Sequence, residues 1–210
     1  SIGKFTVCTT EHKPHIKNSI HTDITAQKAV ELELVHQAHT DHLTGFNNRG
    51  HFMQQAELEL RRVVRYGGTL SIFMMDVDHF KKINDTHGHK VGDLVLQKLA
   101  EICRDTLRMV DIIGRVGGEE FAILLPETTE QEAIRVAERL RQAIANAKIP
   151  LGHGLPLSIT VSIGITSLMS KDDNIDVLLS FADKALYAAK NAGRNRIFNI
   201  QDRIGSLVSQ

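Results

Sequence analysis

The 210-residue chain is short of the features that mark several broad classes of protein. It has only two cysteines, Cys8 and Cys103, far apart in sequence. That pair makes neither a disulfide framework nor a metal knuckle, and it fits reduced thiols in the cytosol. There is no surplus of charge, because 25 Lys and Arg balance 25 Asp and Glu. A protein that grips nucleic acid by neutralising phosphates would carry a basic excess, so no nucleic-acid partner is expected and any nucleotide chemistry must be local. No apolar run approaches the ~20 residues of a membrane span, and residues 70–75 are interrupted by Ser71 and closed by Asp76. No membrane contact is expected. The polar, histidine-rich N-terminal stretch lacks the apolar segment of a secretory signal, and the chain holds no internal repeats or low-complexity tracts. A start at Ser1 rather than Met reads as a piece of a longer protein.

What is present suits one folded domain with an appendage, at 42% hydrophobic and 24% charged residues. Residues 5–9 alternate like a strand before Pro14. From Asp23, apolar Ala26, Val30, Leu34 and Ala38 recur every fourth residue and predict a helix over 25–40, which either pairs with a second chain as a coiled coil or packs on its own domain. Residues 41–49 read as a loop. A helix follows to Arg65, with Phe52, Ala56, Leu60 and Val63 on one face, ended by Gly67-Gly68. Residues 70–75 predict a buried strand stopping at Asp76. Helices are expected over 79–87 and 92–104, separated by turns at Gly88 and Gly92. Residues 112–116, Gly117-Gly118 and 119–125 form a hairpin signature around a tight two-glycine turn with positive φ. A helix over 127–146, a strand over 157–165, a helix over 174–191 and a strand over 196–200 complete the pattern. Helices alternate with strands but one pair is a hairpin, so the sheet must be mixed and the class α+β or α/β rather than a parallel Rossmann sheet.

Asp76 and Asp78 end a buried strand, and a period of two aims both carboxylates to one side if the strand continues, which outlines a site for a hard cation. Asp78 has an alternative as the cap of the next helix; Asp76 has none. The helix start at His79-Phe80-Lys81 offers free amides and a lysine to phosphate. Glu119 and Glu120 follow the glycine turn side by side, where mutual repulsion serves no purpose in a plain hairpin. A second acidic cluster opposite Asp76 would complete a two-metal arrangement that activates a hydroxyl and neutralises a leaving phosphate. The missing side chains of Gly117 and Gly118 would also let a base or phosphate approach.

These residues spell a family. Gly117-Gly118-Glu119-Glu120-Phe121 resembles the signature of GGDEF-domain diguanylate cyclases. Asp41-His42-Leu43-Thr44-Gly45-Phe46-Asn47-Asn48-Arg49 resembles the family's opening motif, with Phe46 where leucine is commoner. Residues 76–85, Gly88-His89 and Gly92-Asp93 match its metal and base block. Ala182-Asp183-Lys184-Ala185-Leu186-Tyr187, Lys190 and Gly193-Arg194-Asn195 match its closing block, so the likeness runs from Asp41 to about Ile200.

The resemblance implies an α+β nucleotide-cyclase fold, ferredoxin-like and related to the polymerase palm: a mixed central sheet flanked by helices, with an N-terminal linker helix. It implies condensation of two GTP into cyclic di-GMP and two pyrophosphate by a homodimer in the cytoplasm, either alone or as part of a larger sensor. Carried over residue by residue, Asp76, the Val77 carbonyl, Glu119 and Glu120 would hold two Mg2+ per active site, with Mn2+ able to substitute. Glu119, Glu120 and Asp76 would be catalytic, Glu119 helping to deprotonate the attacking 3′-hydroxyl. Lys81, Lys190 and Arg194 would contact the triphosphate, although Lys190 and Arg194 also read as cations favourable to a helix end. Phe80, Asn84, His89, Asp93, Gly117 and Gly118 would surround the substrate. Asp93 alternatively caps a helix near Leu94, and His89 alternatively sits in a surface turn. Arg108 and Asp111, spaced before the glycines as in the family's product-binding inhibitory site, would bind cyclic di-GMP or else make a local ion pair. Residues 21–28 resemble the end of a PAS sensor domain, or an ordinary cap. The expected division is 1–23 as sensor remnant, 24–40 as linker or dimerisation helix, 41–200 as the cyclase domain and 201–210 as tail.

Overall fold

Apolar residues at alternating and helical spacings sort the chain into elements that stack on both faces of one sheet. The computed structural model describes residues 39–151, 156–170 and 173–200. The strand expected over 5–9, all but the last two residues of the helix over 25–40, and the tail lie outside them, as do the divisions drawn at those places.

The elements are β1 (Asn47–Asn48), α1 (Arg49–Tyr66), β2 (Leu70–Val77), α2 (Phe80–His87), α3 (His89–Thr106), β3 (Ile112–Arg115), β4 (Glu120–Pro126), α4 (Glu130–Asn146), β5 (Val161–Ser167), α5 (Ile175–Asn191) and β6 (Ile197–Asn199). The strands form one six-stranded sheet in the order β1-β3-β4-β2-β5-β6. The inner four pair antiparallel, while β1 runs parallel to β3 and β6 parallel to β5, so the sheet is mixed as expected and the class is α+β. No helix among the described residues is long and apolar enough to cross a membrane.

β2 lies between β4 and β5, and all of its residues are buried. Its pleat sends Phe73, Met75 and Val77 into a core with α3 and α4, and Leu70, Ile72 and Met74 into a second core with α1 and α5. Asp76 follows the second set, so its carboxylate is on the α5 side of the sheet. Gly164 of β5 brings α5 close, since a Cβ there would overlap the Ala182 carbonyl and the Leu186 amide. Lys190 lies one turn beyond Leu186, and Ser162, two residues from Gly164, pairs with Asp76. The close approach therefore delivers Lys190 to Asp76.

Several boundaries differ from the sequence expectations. β2 does not stop at Asp76 but runs to Val77, because β5 continues the ladder one residue further through Val161, while the ladder to β4 ends at Asp76 and Glu120. Gly92 is not a turn: it lies inside α3, which starts at His89. The helix expected from 127 begins at Glu130, where Thr129 and Glu132 make a reciprocal capping box and Glu127 has φ 48°. β5 begins at Val161 rather than 157; Leu157 makes only an isolated bridge to Ile149. Asn47 and Asn48, read as loop, form β1, and Asn48 caps α1 by accepting from the His51 amide. Cys103 is buried in the core, which pushes its thiol up to about 12 and leaves it inert at neutral pH.

Candidate active site

Three segments converge at one end of the sheet's inner strands: the end of β2, the turn between β3 and β4, and the end of α5. Asp76 pairs across the ladder with Glu120, which places both side chains on the same face. Lys190 Nζ approaches Asp76 Oδ2 at 2.8 Å, with the two side chains 28% and 5% exposed. The Val77 amide donates to the Glu119 carbonyl at 3.4 Å, and since a strand residue directs its N–H and C=O to the same side, the Val77 carbonyl faces the turn.

The electrostatics are those of too many carboxylates for one ammonium. Burial raises Asp76 above the usual carboxylate range; Lys190 opposes this, while Glu120 and Asp78 add to it. Burial also raises Glu119, reinforced by Asp76 and Glu120 and opposed by Lys190. Among the described residues, no three Asp, Glu, His or Cys side chains are already gathered into a metal-holding cluster. The donors at hand, carboxylates and a strand-end carbonyl, are all hard oxygens of the kind Mg2+ takes, and the surplus negative charge is what a divalent cation would relieve.

The glycine turn is wider than a tight two-residue hairpin. Arg115 pairs with Phe121, leaving residues 116–120 between them, and neither Gly117 nor Gly118 has positive φ. Gly117 is needed for another reason: a Cβ there would overlap the Glu120 carboxylate, which lies against it. Gly118 is open, with nothing near its missing side chain.

Asp78 is not a helix cap. The residue before α2 is His79, in a left-handed conformation with φ 59° and no side-chain cap bond. The Asp78 carboxylate instead accepts from Thr160 Oγ1 and Ser162 Oγ, both at 2.7 Å, and from the Asn195 amide at 3.0 Å. It thereby ties β2 to β5 and to the left-handed pair Arg194 and Asn195. The polar pair Thr160 and Ser162, at period two beside an apolar strand, was the signal available for this role.

Asp93 does not cap a helix either, since it lies exposed within α3. One residue before it, Gly92 leaves room for the Asn84 carboxamide, whose Oδ1 is buried without a hydrogen-bond partner. Asn84 and Asp93 are thus brought to neighbouring positions of α2 and α3. Phe80 belongs to the core, its ring near Gly92. Lys81 and His89 are exposed, and Arg194 is partly buried beyond α5.

Arg108 and Asp111 stand apart from this cluster, at the other end of β3. The Arg108 guanidinium donates to Asp111 at 3.2 Å and to Thr128 Oγ1 at 2.6 Å, and its amide donates to Asp111 at 2.7 Å. They border a cavity of about 410 Å³ also lined by Phe46, Arg104 and Met109.

Comparison with known proteins identifies the family and the fold. The family model described as the GGDEF domain of diguanylate cyclases matches residues 38–196. The response regulator PleD of Caulobacter vibrioides is 38% identical over 159 residues, 75% of this chain and 35% of that protein. The diguanylate cyclase DgcP of Pseudomonas aeruginosa is 43% identical over 180 residues, 86% of this chain and 26% of that protein. The chain therefore spans about a third or less of these curated relatives. The fold matches the coiled coil and GGDEF domain of DgcB from Caulobacter crescentus, solved in complex with c-di-GMP, with a TM-score of 0.80 at 27% identity, covering 84% of this chain and 93% of that one. It also matches the active GGEEF domain of a diguanylate cyclase from Vibrio cholerae, with a TM-score of 0.68 at 35% identity, covering 73% and 96% of the two chains.

Proposed function

The chain belongs to the GGDEF family of diguanylate cyclases, and from that premise we propose that it condenses two GTP into cyclic di-GMP and two pyrophosphate. The observation that carries this reading is the cross-strand pair Asp76 and Glu120, with Glu119 at the turn and Lys190 set against them. Asp76, the Val77 carbonyl, Glu119 and Glu120 are the residues that would hold two Mg2+, with Mn2+ as a substitute. When bound, the ions would neutralise the triphosphate and acidify the attacking hydroxyl. Burial and neighbouring carboxylates make the Glu119 carboxylate more basic than an ordinary glutamate, which suits it to accept the 3′-hydroxyl proton. Lys81 and Arg194 would contact the phosphates, and Lys190 would divide its charge between them and Asp76.

Guanine is read from α2 and α3. Its N1–H and exocyclic amine are donors, which the Asp93 carboxylate accepts with Asn84 beside it, while adenine presents a lone pair at N1 that a carboxylate repels. His89 and Phe80 flank that position. Open Gly118, and Gly117 with only Glu120 against it, admit the substrate to the turn.

One site binds one GTP and the product needs two, so two domains must face each other as a homodimer, assembled through residues 24–40 or a preceding sensor. GTP as substrate places the domain in the cytoplasm. Arg108 and Asp111 form the inhibitory product site, where bound cyclic di-GMP bridges two domains and holds their half-sites apart, giving inhibition noncompetitive with GTP. Incubation with GTP and Mg2+, followed by chromatography, tests the central reading: a cyclic dinucleotide should form from GTP and not from ATP. No product from GTP would overturn it.

A further inference from the structure

Outside the acidic cluster, one chain of contacts reaches the catalytic turn from the start of the domain. Arg115, the last residue of β3, turns its guanidinium in two directions. Nε and Nη2 donate to the Gly118 carbonyl at 3.1 and 2.6 Å, and Nη1 donates to both oxygens of Asp41 at 3.2 and 3.0 Å. Both side chains are only 15% exposed, so water competes poorly for the pair. Asp41 is itself held: its Oδ1 accepts from the Thr44 amide and hydroxyl at 2.9 and 2.7 Å, and its backbone bonds to Phe46 and Gly45. Burial works against the Asp41 charge, but the Thr44 bonds and Arg115 keep its carboxyl below the ordinary range. The turn that carries Asp41 is anchored in its own right, since Arg104 donates to the Thr44 carbonyl and lies over the Phe46 ring, which packs edge-on against Phe121.

The target of this strut is the peptide joining Gly118 to Glu119. A glycine has the widest choice of backbone conformation, and nothing packs where a Gly118 side chain would be, so this peptide has little else to orient it. Holding its carbonyl sets the plane from which the Glu119 side chain departs. We infer that Asp41 and Arg115 are positioning residues for the cyclase reaction, the Asp41–Arg115 ion pair fixing the Gly118 carbonyl and through it the aim of Glu119. The inference rests on the cyclase reading above. Because the strut touches no substrate, its loss should appear in turnover and not in GTP affinity. Because it needs a planar fork with two faces, lysine should not replace the arginine.

The test measures kcat and KM for GTP, with thermal melts, on wild type, Arg115→Lys, Arg115→Ala, Asp41→Asn and the double variant Asp41→Asn/Arg115→Ala. The expected result is a fall in kcat of at least ~30-fold for both Arg115 variants, with KM changed less than ~3-fold, and a double variant no worse than Arg115→Ala alone. Hydrogen exchange across residues 116–121 should accelerate in Arg115→Ala while the rest of the sheet stays protected. Wild-type kcat in Arg115→Lys, or losses that multiply in the double variant, would overturn the strut and leave the cyclase reading intact. An inactive wild type would instead overturn the cyclase reading and this assignment with it. If Arg115→Ala fails to fold, Arg115→Lys and Asp41→Asn decide the question.

Discussion

Lys190 is the only cation paired with Asp76 among the described residues, and removing it should have a pH-dependent cost. Lys190→Met keeps the length and apolar stem of the side chain but leaves a 5%-exposed carboxylate facing Glu120 and Asp78 with no counter-charge. Breaking a fully buried pair from one side costs about 3–5 kcal/mol. Lys190 is 28% exposed, so water can partly replace it, and we expect about 2–3 kcal/mol at neutral pH. At this chain length that corresponds to a drop of roughly 4–12 °C in melting temperature. The sign of the pH dependence follows from burial. Asp76 is already raised in the folded protein, so the native state holds its proton more tightly than the unfolded chain does. Folding is therefore favoured as pH falls toward the ordinary carboxylate range, and the advantage is lost as pH rises through the folded value. Loss of Lys190 raises Asp76 further and steepens that slope. Denaturant melts of both proteins between about pH 5 and about pH 8 should show the deficit shrinking toward acid, and Asp76→Asn on the Lys190→Met background should restore most of it. A deficit independent of pH, or one the second substitution does not relieve, would refute the ion-pair account.

Gly117→Ala places a methyl group in the Glu120 carboxylate, the mobile end of a side chain. The fold should survive within a few degrees of the wild-type melting temperature while product formation drops at least ~10-fold; unchanged turnover would show that the Glu120 position is immaterial. Glu119→Gln should abolish product and also stabilise the protein at neutral pH, because it removes a carboxylate that burial, Asp76 and Glu120 have raised. The gain should fade as pH falls through that raised value, so a thermal shift of the same size at acid and neutral pH would contradict it. Arg108→Ala removes a charge-assisted donor and should weaken cyclic di-GMP binding by about 1.5–3 kcal/mol in calorimetry, with initial rates nearly intact. Equal affinities would leave Arg108 and Asp111 as an ion pair and no more.

The fold was legible where burial alone decides it. Phe52, Ala56, Leu60 and Val63 mark the inward face of α1 by spacing, and all four are buried. The hairpin of β3 and β4 follows from two apolar runs around glycines. The boundaries that escaped are those decided elsewhere in the chain. Gly92 looks like a punctuation mark, yet it lies within a helix, and it is glycine because Asn84, eight positions earlier, takes the space of a side chain. Gly117-Gly118 looks like a demand for positive φ, but the turn is wide enough that neither residue adopts it, and the absent Cβ of Gly117 makes room for Glu120 instead.

Asp76, in β2, and Asp78, just beyond it, show why a site is harder to read than a fold. In sequence Asp76 and Asp78 are two carboxylates two positions apart at a strand end, told apart only by the cap that Asp78 could have made for the next helix. Their separation depends on contacts with residues 82, 84 and 117 positions away. Thr160, Ser162 and the Asn195 amide supply Asp78 with three donors, which satisfy its charge and tie it to β5 and the loop after α5. A carboxylate so engaged would have to break those bonds to take a cation. Among the described residues Asp76 holds only Lys190, across from Glu120 and near Glu119, and burial raises it despite that partner. Of the two, Asp76 is therefore the one left with charge to give an incoming ion, and Asp78 is the one that holds the strand end where that ion would bind.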